Sequence, residues 1–287
     1  MQNDDAPVGT IYTRREALTI AAKAGLGLTA GSLFSFAGAS TPFQQTQPKV
    51  NLIASPELTE GPFFVDEKLD RANLLSGTSR PSVVKATPLE LELLIYKLVN
   101  DKHEPLPLAQ IDVWHCDAKG VYSDENHPMN HENTARQTWL RGYQLTDTHG
   151  TAKFRTIIPG WYEGRTPHIH FKIRTFSKKM QATAEFTSQF FFDEALLKKV
   201  YAKDPYRDKG MPDTHNSTDN IYADRQIDGS LAGSHMLLDL QPSKSGGYAA
   251  KFTVVLTDKN FHAGRRGFGG GFPPPPGGGF GGGWESF

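Results

Sequence analysis

The sequence predicts an all-β protein, an antiparallel β-sandwich with long connecting loops and at most one or two short helices. Three observations support this prediction. Apolar and polar residues alternate over much of the segment from Ile53 to Phe261, turn residues separate the alternating runs, and a single short segment has a convincing helical pattern. Many short strands with turn punctuation are typical of sandwiches and barrels. A hydrophobic share of 38% in 287 residues is enough to bury one sizeable core.

The first strand has the clearest pattern, because Leu89, Leu91, Leu93 and Ile95 would share one buried face. Asn100-Asp101 and the prolines that follow end it. Residues 194–201 form the predicted helix, with Asp193 as its N-cap and apolar residues on one side. Further strands are predicted at residues 111–116, 142–145, 152–158, 168–173 and 251–256.

Both ends of the chain differ in composition from the predicted sandwich. Arg14-Arg15 precedes a short stretch rich in Gly, Ala and Ser, which predicts an export signal of the twin-arginine type over residues 1–39. That stretch is shorter than the roughly 20 residues of a spanning helix, so we expect no transmembrane segment. A linker (40–52), the sandwich domain (53–261) and a disordered Gly/Pro/Phe-rich tail (262–287) follow. We therefore expect the mature protein in the periplasm or outside the cell.

Charge and cysteine content exclude several classes of function. The chain has 31 basic and 31 acidic residues, whereas nucleic-acid binding needs a basic excess. Its single cysteine, Cys116, excludes a disulfide framework and a site built from several cysteines. The sequence allows a homo-oligomer.

His168-Ile169-His170 is the sharpest candidate for a metal site. Residues i and i+2 of a strand point to the same side, about 7 Å apart, so both imidazoles can bind one ion. Tyr162 stands in the loop before this strand, and Tyr122 follows an earlier strand. A phenol has a pKa of about 10, so a strong Lewis acid must displace its proton at neutral pH. Ferric iron meets that requirement. Each tyrosine taken alone would also fit a buried core position.

Three stretches carry a resemblance to a known family: Pro107 to Ser123, Leu140 to Asp147, and Pro159 to Phe171. Together they resemble the intradiol ring-cleavage dioxygenases, the family of catechol and protocatechuate dioxygenases. The similarity extends over roughly residues 55–258 and includes Thr59 to Phe64. The chain looks closer to the protocatechuate type than to the catechol type, which dimerises through a preceding helical segment.

The resemblance implies site residues, a cofactor and a reaction. One non-haem Fe(III) per chain would bind the family's four ligands, and Tyr162 would also accept a substrate proton. Arg165 and Gln189 are similar to residues beside the bound substrate. The implied reaction inserts O2 between the two hydroxylated carbons of a catechol and gives a cis,cis-muconate-type diacid. The implied iron ligands are Tyr122, Tyr162, His168 and His170, and the implied substrate-binding residues are Glu60, Gly61, Pro62, Phe63 and Arg165.

Two other functions stay open at this point. One is an exported module with the same fold that binds ferric iron or a catechol-bearing compound without turnover. The other is a zinc-dependent hydrolase using His168 and His170. Arg165 also has a purely structural alternative, an ion pair with an acid such as Glu163. Intact Tyr122, Tyr162 and Arg165 favour the dioxygenase, because neither rival needs all three.

Overall fold

The computed structural model describes residues 54–262. The predicted export signal, the linker and nearly all of the predicted tail lie outside the described residues. The described part of the chain forms strands, two short α-helices and two 3-10 helices, at Pro128–Asn130 and Ala232–Met236. The strands are β1 (Pro88–Val99), β2 (Lys102–Pro105), β3 (Gln110–Trp114), β4 (Arg141–Leu145), β5 (Thr151–Ile157), β6 (His168–Phe176), β7 (Ala182–Phe191), β8 (Gln241–Pro242) and β9 (Tyr248–Leu256), and the helices are α1 (Pro81–Val84) and α2 (Glu194–Tyr201).

Two sheets make up the fold, as the sequence predicts. The first has the order β2-β1-β9-β8, with β5 also paired to β1, and the second has the order β4-β3-β6-β7. Adjacent strands are antiparallel except β1 and β9, which pair in parallel. Apolar side chains from both sheets form one buried cluster, which includes Leu91, Val113, Ile169 and Phe171. The fold is therefore a sandwich with its main core between the sheets.

The predicted helix agrees with the structure in its bounds and in its cap. The Asp193 carboxylate accepts the Leu196 N–H at 2.8 Å, which satisfies one of the free donors at the start of α2. Leu197, Val200 and Tyr201 lie on its buried side. Within residues 54–262, no helix has the length and apolar character needed to cross a bilayer.

A second buried cluster lies apart from the main core and determines where the site is. It contains Phe63, Trp114, Cys116, Tyr122 and Tyr162. Strand β6 separates the two clusters, because its odd-numbered residues enter the core while its even-numbered residues face the other way. The outer side of the second sheet therefore presents the histidines of β6 together with this second cluster.

Candidate active site

Strand β6 brings His168 and His170 together on the outer side of the second sheet. Their Nε2 atoms are 3.0 Å apart, and both rings are buried. His168 Nδ1 lies 2.7 Å from the Thr166 carbonyl oxygen, which can only accept a hydrogen bond. Nδ1 must therefore carry the proton, and the lone pair of Nε2 faces His170.

The two tyrosines reach the same place from different loops. Tyr122 follows β3, and its backbone is fixed on both sides: its N–H donates to Asn130 Oδ1 at 2.7 Å, and Thr134 Oγ1 donates to its carbonyl at 2.6 Å. Tyr162 precedes β6, and its hydroxyl lies 3.4 Å from His168 Nε2. The Tyr122 ring centroid is 5.9 Å from that of Tyr162 and 6.4 Å from that of His170. We call Tyr122, Tyr162, His168 and His170 the ligand cluster.

Burial sets the protonation of the ligand cluster. It raises the pKa of Tyr122 well above its ordinary value, and it raises the pKa of Tyr162 to about 12 against the opposing effect of the Arg165 cation. It also lowers the pKa of both histidines well below their ordinary value. At neutral pH the protein alone thus offers two neutral imidazoles and two protonated phenols.

The donor set fits ferric iron. Tyr122 Oη is buried and has no hydrogen-bond partner among the described residues, an arrangement that costs about 1–3 kcal/mol unless another group takes up the oxygen. A cation binding this oxygen would remove that cost. Within residues 54–262, no three His, Cys, Asp or Glu side chains are placed to hold one metal ion together, so the usual ligands of zinc are not gathered around His168 and His170.

Aromatic side chains enclose the ligand cluster. Trp114 stacks on His170 with ring centroids 4.9 Å apart and planes within 4°. Phe63 stacks on Tyr122 at 4.4 Å and meets the edge of Tyr162 at 5.7 Å. These contacts exclude water from one side of the cluster and restrict the motion of its rings.

The predicted substrate-binding segment divides into two parts. Gly61 and Phe63 lie against the cluster, and a Cβ on Gly61 would come within 3.2 Å of His170 Cε1. Gly61 also has a φ of +69°, which favours glycine. The Glu60 carboxylate forms an ion pair with Lys172, and Pro62 is exposed. Substrate contact by these four residues stays a prediction.

Arg165 and Gln189 contact each other, and their place beside a bound substrate stays a prediction. Arg165 Nη2 donates to Gln189 Oε1 at 2.6 Å, and Arg165 Nη1 lies 3.5 Å from His168 Nε2. Gln189 Nε2 in turn donates to the Thr59 carbonyl at 2.8 Å. The ion-pair partner of Arg165 is Asp219, at 2.8 Å from Nε, and not Glu163.

Two charged residues of the site were missed in the sequence. Asp219 is fully buried and lies far along the chain from Arg165, in a loop without periodic pattern. Arg141 is also buried; it donates to the carbonyl oxygens of Ser123 and Phe63 at 2.6 Å each and lies 5.9 Å from the Tyr122 ring centroid. Arg141 thereby joins the loop after Tyr122 to the segment before β1. Arg141 lies in the stretch Leu140 to Asp147 of the resemblance, which implied no role for it, and Asp219 belongs to no short motif.

The remaining histidines contact neighbouring residues outside the ligand cluster. His115 is buried; its Nδ1 donates to the Cys116 carbonyl at 2.8 Å, and its Nε2 lies 2.6 Å from Thr156 Oγ1. His127 and His131 flank a 3-10 turn in the loop after Tyr122. The His127 ring lies 6.0 Å from that of Phe63.

Comparisons with known proteins agree on one family. A model of the dioxygenase family matches residues 60–203. The catechol 1,2-dioxygenase of Acinetobacter baylyi is 28% identical over 124 residues, covering 40% of this chain and 36% of the relative. The chlorocatechol 1,2-dioxygenase of Pseudomonas putida is 24% identical over 170 residues, covering 52% of this chain and 56% of the relative. The similarity thus spans between about a third and somewhat more than half of these curated relatives.

A solved structure matches this chain over a larger share of both sequences. The intradiol ring-cleavage dioxygenase from Tetranychus urticae covers 72% of this chain and 95% of its own, with 25% sequence identity and a TM-score of 0.58. The residues matched by the family model include all four members of the ligand cluster, together with Arg165 and Gln189.

Proposed function

The chain belongs to the intradiol ring-cleavage dioxygenase family, and from this premise we propose that it is a non-haem Fe(III) enzyme that cleaves catechol-type aromatics between their two hydroxyl groups. The products would be cis,cis-muconate-type diacids. The observation that carries this proposal is the convergence of two buried phenols and two buried imidazoles, with the Tyr122 hydroxyl lacking a hydrogen-bond partner among residues 54–262. The proposal includes export of the mature protein, on the basis of Arg14-Arg15 and the stretch that follows.

Tyr122, Tyr162, His168 and His170 would hold the iron. When bound, Fe(III) supplies the Lewis acidity that keeps phenols and a catechol deprotonated at neutral pH. The positive charge of Arg165 favours the anionic form of the Tyr162 phenol. We assign Tyr162 as the group that accepts a proton from the catechol. Tyr162 lies in the loop before β6 and not within a strand.

Arg165 stabilises negative charge in this scheme. Its guanidinium is cationic at any relevant pH and lies beside His168, at the edge of the ligand cluster. Negative charge that develops on the substrate as O2 adds would be stabilised by this fixed cation. Gln189 keeps the guanidinium in place, and Phe63 and Trp114 shield the reacting groups from water.

The visible absorption spectrum of the purified mature protein tests the proposal. Phenolate bound to Fe(III) should colour the protein red-brown, and anaerobic catechol should shift the band to longer wavelength. Bleaching of the shifted band when air enters, with formation of one diacid per catechol, is the expected result.

Two other results would overturn the proposal. A shifted band that persists in air would identify a binding module without turnover. A protein that stays colourless after ferric reconstitution would rule out the iron assignment, and zinc would then be tested next.

A further inference from the structure

Asp219 is the one carboxylate that contacts Arg165 in the described part of the chain. It is 0% exposed, and Arg165 is only 14% exposed, so the ion pair is almost removed from solvent. A buried charge needs a partner to offset the loss of hydration. Asp219 supplies that partner from a loop distant in sequence from the ligand cluster.

Four backbone and side-chain donors saturate this carboxylate. Oδ2 accepts hydrogen bonds from Arg165 Nε at 2.8 Å and from the Thr166 N–H at 2.9 Å. Oδ1 accepts from the Ile221 and Tyr222 N–H groups, each at 2.9 Å. A carboxylate held in this way cannot rotate, and its Oδ2 is bound to Arg165 and to the residue that follows it.

These contacts fix the direction of the guanidinium. Nε is bound by Asp219 and Nη2 by Gln189, which leaves Nη1 directed at His168 Nε2. Gln189 is bound in turn by the Thr59 carbonyl. A continuous chain of hydrogen bonds thus runs from Asp219 through Arg165 to the segment that carries Gly61 and Phe63.

We propose that Asp219 is a positioning residue, which holds Arg165 with Nη1 toward the ligand cluster and acts on the reaction only through Arg165. This inference rests on the proposed function, because it assigns a role within the same site. The alternative is that Asp219 merely anchors its own loop.

The substitution Asp219→Asn tests the proposal. Asparagine keeps an oxygen for the Ile221 and Tyr222 N–H groups, but it presents an NH2 group to Arg165 Nε. We expect iron content and colour to be retained, kcat to fall by at least about tenfold and KM to change by less than about threefold, since the lost interaction acts on the transition state.

A double variant shows whether Asp219 acts through Arg165. In an Arg165→Ala background, Asp219→Asn should change kcat by less than about twofold, because residues that act as a unit are not additive. This comparison does not require the single Asp219 variant to fold. A further loss of about tenfold or more in this background would overturn the proposal.

Asn216→Ala is the matched control for loop anchoring. Asn216 lies in the same loop, accepts from Thr166 Oγ1 at 2.7 Å and donates to the Phe192 carbonyl at 3.0 Å, and it makes no hydrogen bond to Arg165. Its substitution should lower the unfolding midpoint with little change in kcat. If Asn216→Ala lowered kcat as much as Asp219→Asn, the role of Asp219 would be anchoring alone.

Unfolding midpoints provide a measurement that needs no turnover. Asp219→Asn and Arg165→Ala each leave one buried charge without its partner. The unfolding midpoint of the double variant should therefore fall by less than the sum of the two single decreases. Additive decreases in the unfolding midpoint would contradict the pairing of Asp219 with Arg165, whatever the activity of the variants. An inactive or colourless wild type would instead overturn the proposed function and leave this coupling measurable.

Discussion

At the scale of single residues, Tyr122 has the clearest requirement for a bound cation. Its ring is held by Phe63 and its backbone by Asn130, while its hydroxyl has no partner among the described residues. We predict that Tyr122→Phe retains the fold and loses most of the ferric iron, because it removes one ligand and leaves the packing intact. Iron content and the visible band after reconstitution measure this.

Tyr143→Phe is the matched control for that prediction. Tyr143 lies on β4, half-buried and outside the ligand cluster. Its variant should keep the full iron content and colour. Equal iron loss in both variants, or unchanged iron in Tyr122→Phe, would contradict the assignment of Tyr122 as a ligand.

Arg165 is predicted to serve turnover and not iron binding. Its guanidinium contacts His168 only at 3.5 Å, a weak interaction, whereas its charge is placed to stabilise an anionic transition state. Arg165→Ala should keep iron and colour and lower kcat by about 10²–10³-fold. Steady-state kinetics on catechol measure this, with the exposed Arg207→Ala as control. Full activity in Arg165→Ala would refute the role.

The ligand cluster could be anticipated from the sequence, but its surroundings could not. The two-residue spacing of His168 and His170 on a strand is enough to place both rings on one side. Asp219 and Arg141 gave no such signal, because their partners depend on how distant loops fold back onto the sheet. Contacts of this kind are set by tertiary packing.

At the scale of elements, residues 59–66 form a strap across the outer side of β3 and β6. Glu60 pairs with Lys172, and Asp66 pairs with Arg174 at 3.1 Å. Between these pairs, Phe64 packs against Trp114 at 4.8 Å and lies under Lys172 at 4.1 Å. Charged residues of β6 thus hold the segment that brings Phe63 to the site.

Arg174→Met is predicted to destabilise the protein by about 3 kcal/mol, because it leaves Asp112 buried without its cation. Arg174 Nη2 lies 2.9 Å from Asp112 Oδ2, and both side chains are 10% exposed. Burial already raises the pKa of Asp112, and Arg174 opposes that rise. Urea denaturation at neutral pH measures the loss in the free energy of unfolding.

Lys251→Met provides the matched control for Arg174→Met. Lys251 pairs with Glu92 at 2.9 Å, but its side chain is 64% exposed. Its loss should change stability by less than about 0.5 kcal/mol, as for other surface ion pairs. Similar losses in the two variants would mean that burial does not decide the strength of the Arg174 pair.

β1 was the easiest strand to predict from the sequence, because only one of its faces is buried. β1 alternates between buried and more exposed residues, so its period of two is visible. β7 does not, because Ser188 to Phe191 are buried on both faces, in part by the segment before β1: Ser188 Oγ donates to the Pro56 carbonyl at 2.8 Å. β2 and β8 are too short and exposed for a pattern, and the parallel pairing of β1 with β9 leaves no local trace.

At the scale of the whole molecule, the second sheet separates the main core from the ligand cluster. Ile169 and Phe171 pack toward the first sheet, while His168 and His170 face the strap and loops. Variants in the ligand cluster should therefore affect iron binding more than folding. Buried polar groups between the strands and the site, such as His115, connect stability to pH.

The burial of His115 predicts that the protein loses stability in weak acid. Burial lowers its pKa from 6.5 to about 4, and it outweighs the opposing effect of the hydrogen bond to the Cys116 carbonyl. Between these pH values the unfolded chain binds a proton that the folded protein does not, so the free energy of unfolding falls as pH decreases from about 6.5 to about 4. At pH 5 the His115 contribution to this loss is about 2 kcal/mol, from 1.36 kcal/mol per pKa unit.

His115→Asn isolates this contribution, because asparagine can donate to the Cys116 carbonyl but does not titrate. Urea denaturation of both proteins at pH 7 and pH 5 gives two pH-dependent losses, and the loss of the wild type should exceed that of the variant by about 2 kcal/mol. The comparison holds even if the variant is less stable at both pH values, since only the difference between them enters. Equal losses would mean that His115 takes up its proton in the folded protein, which its full burial opposes.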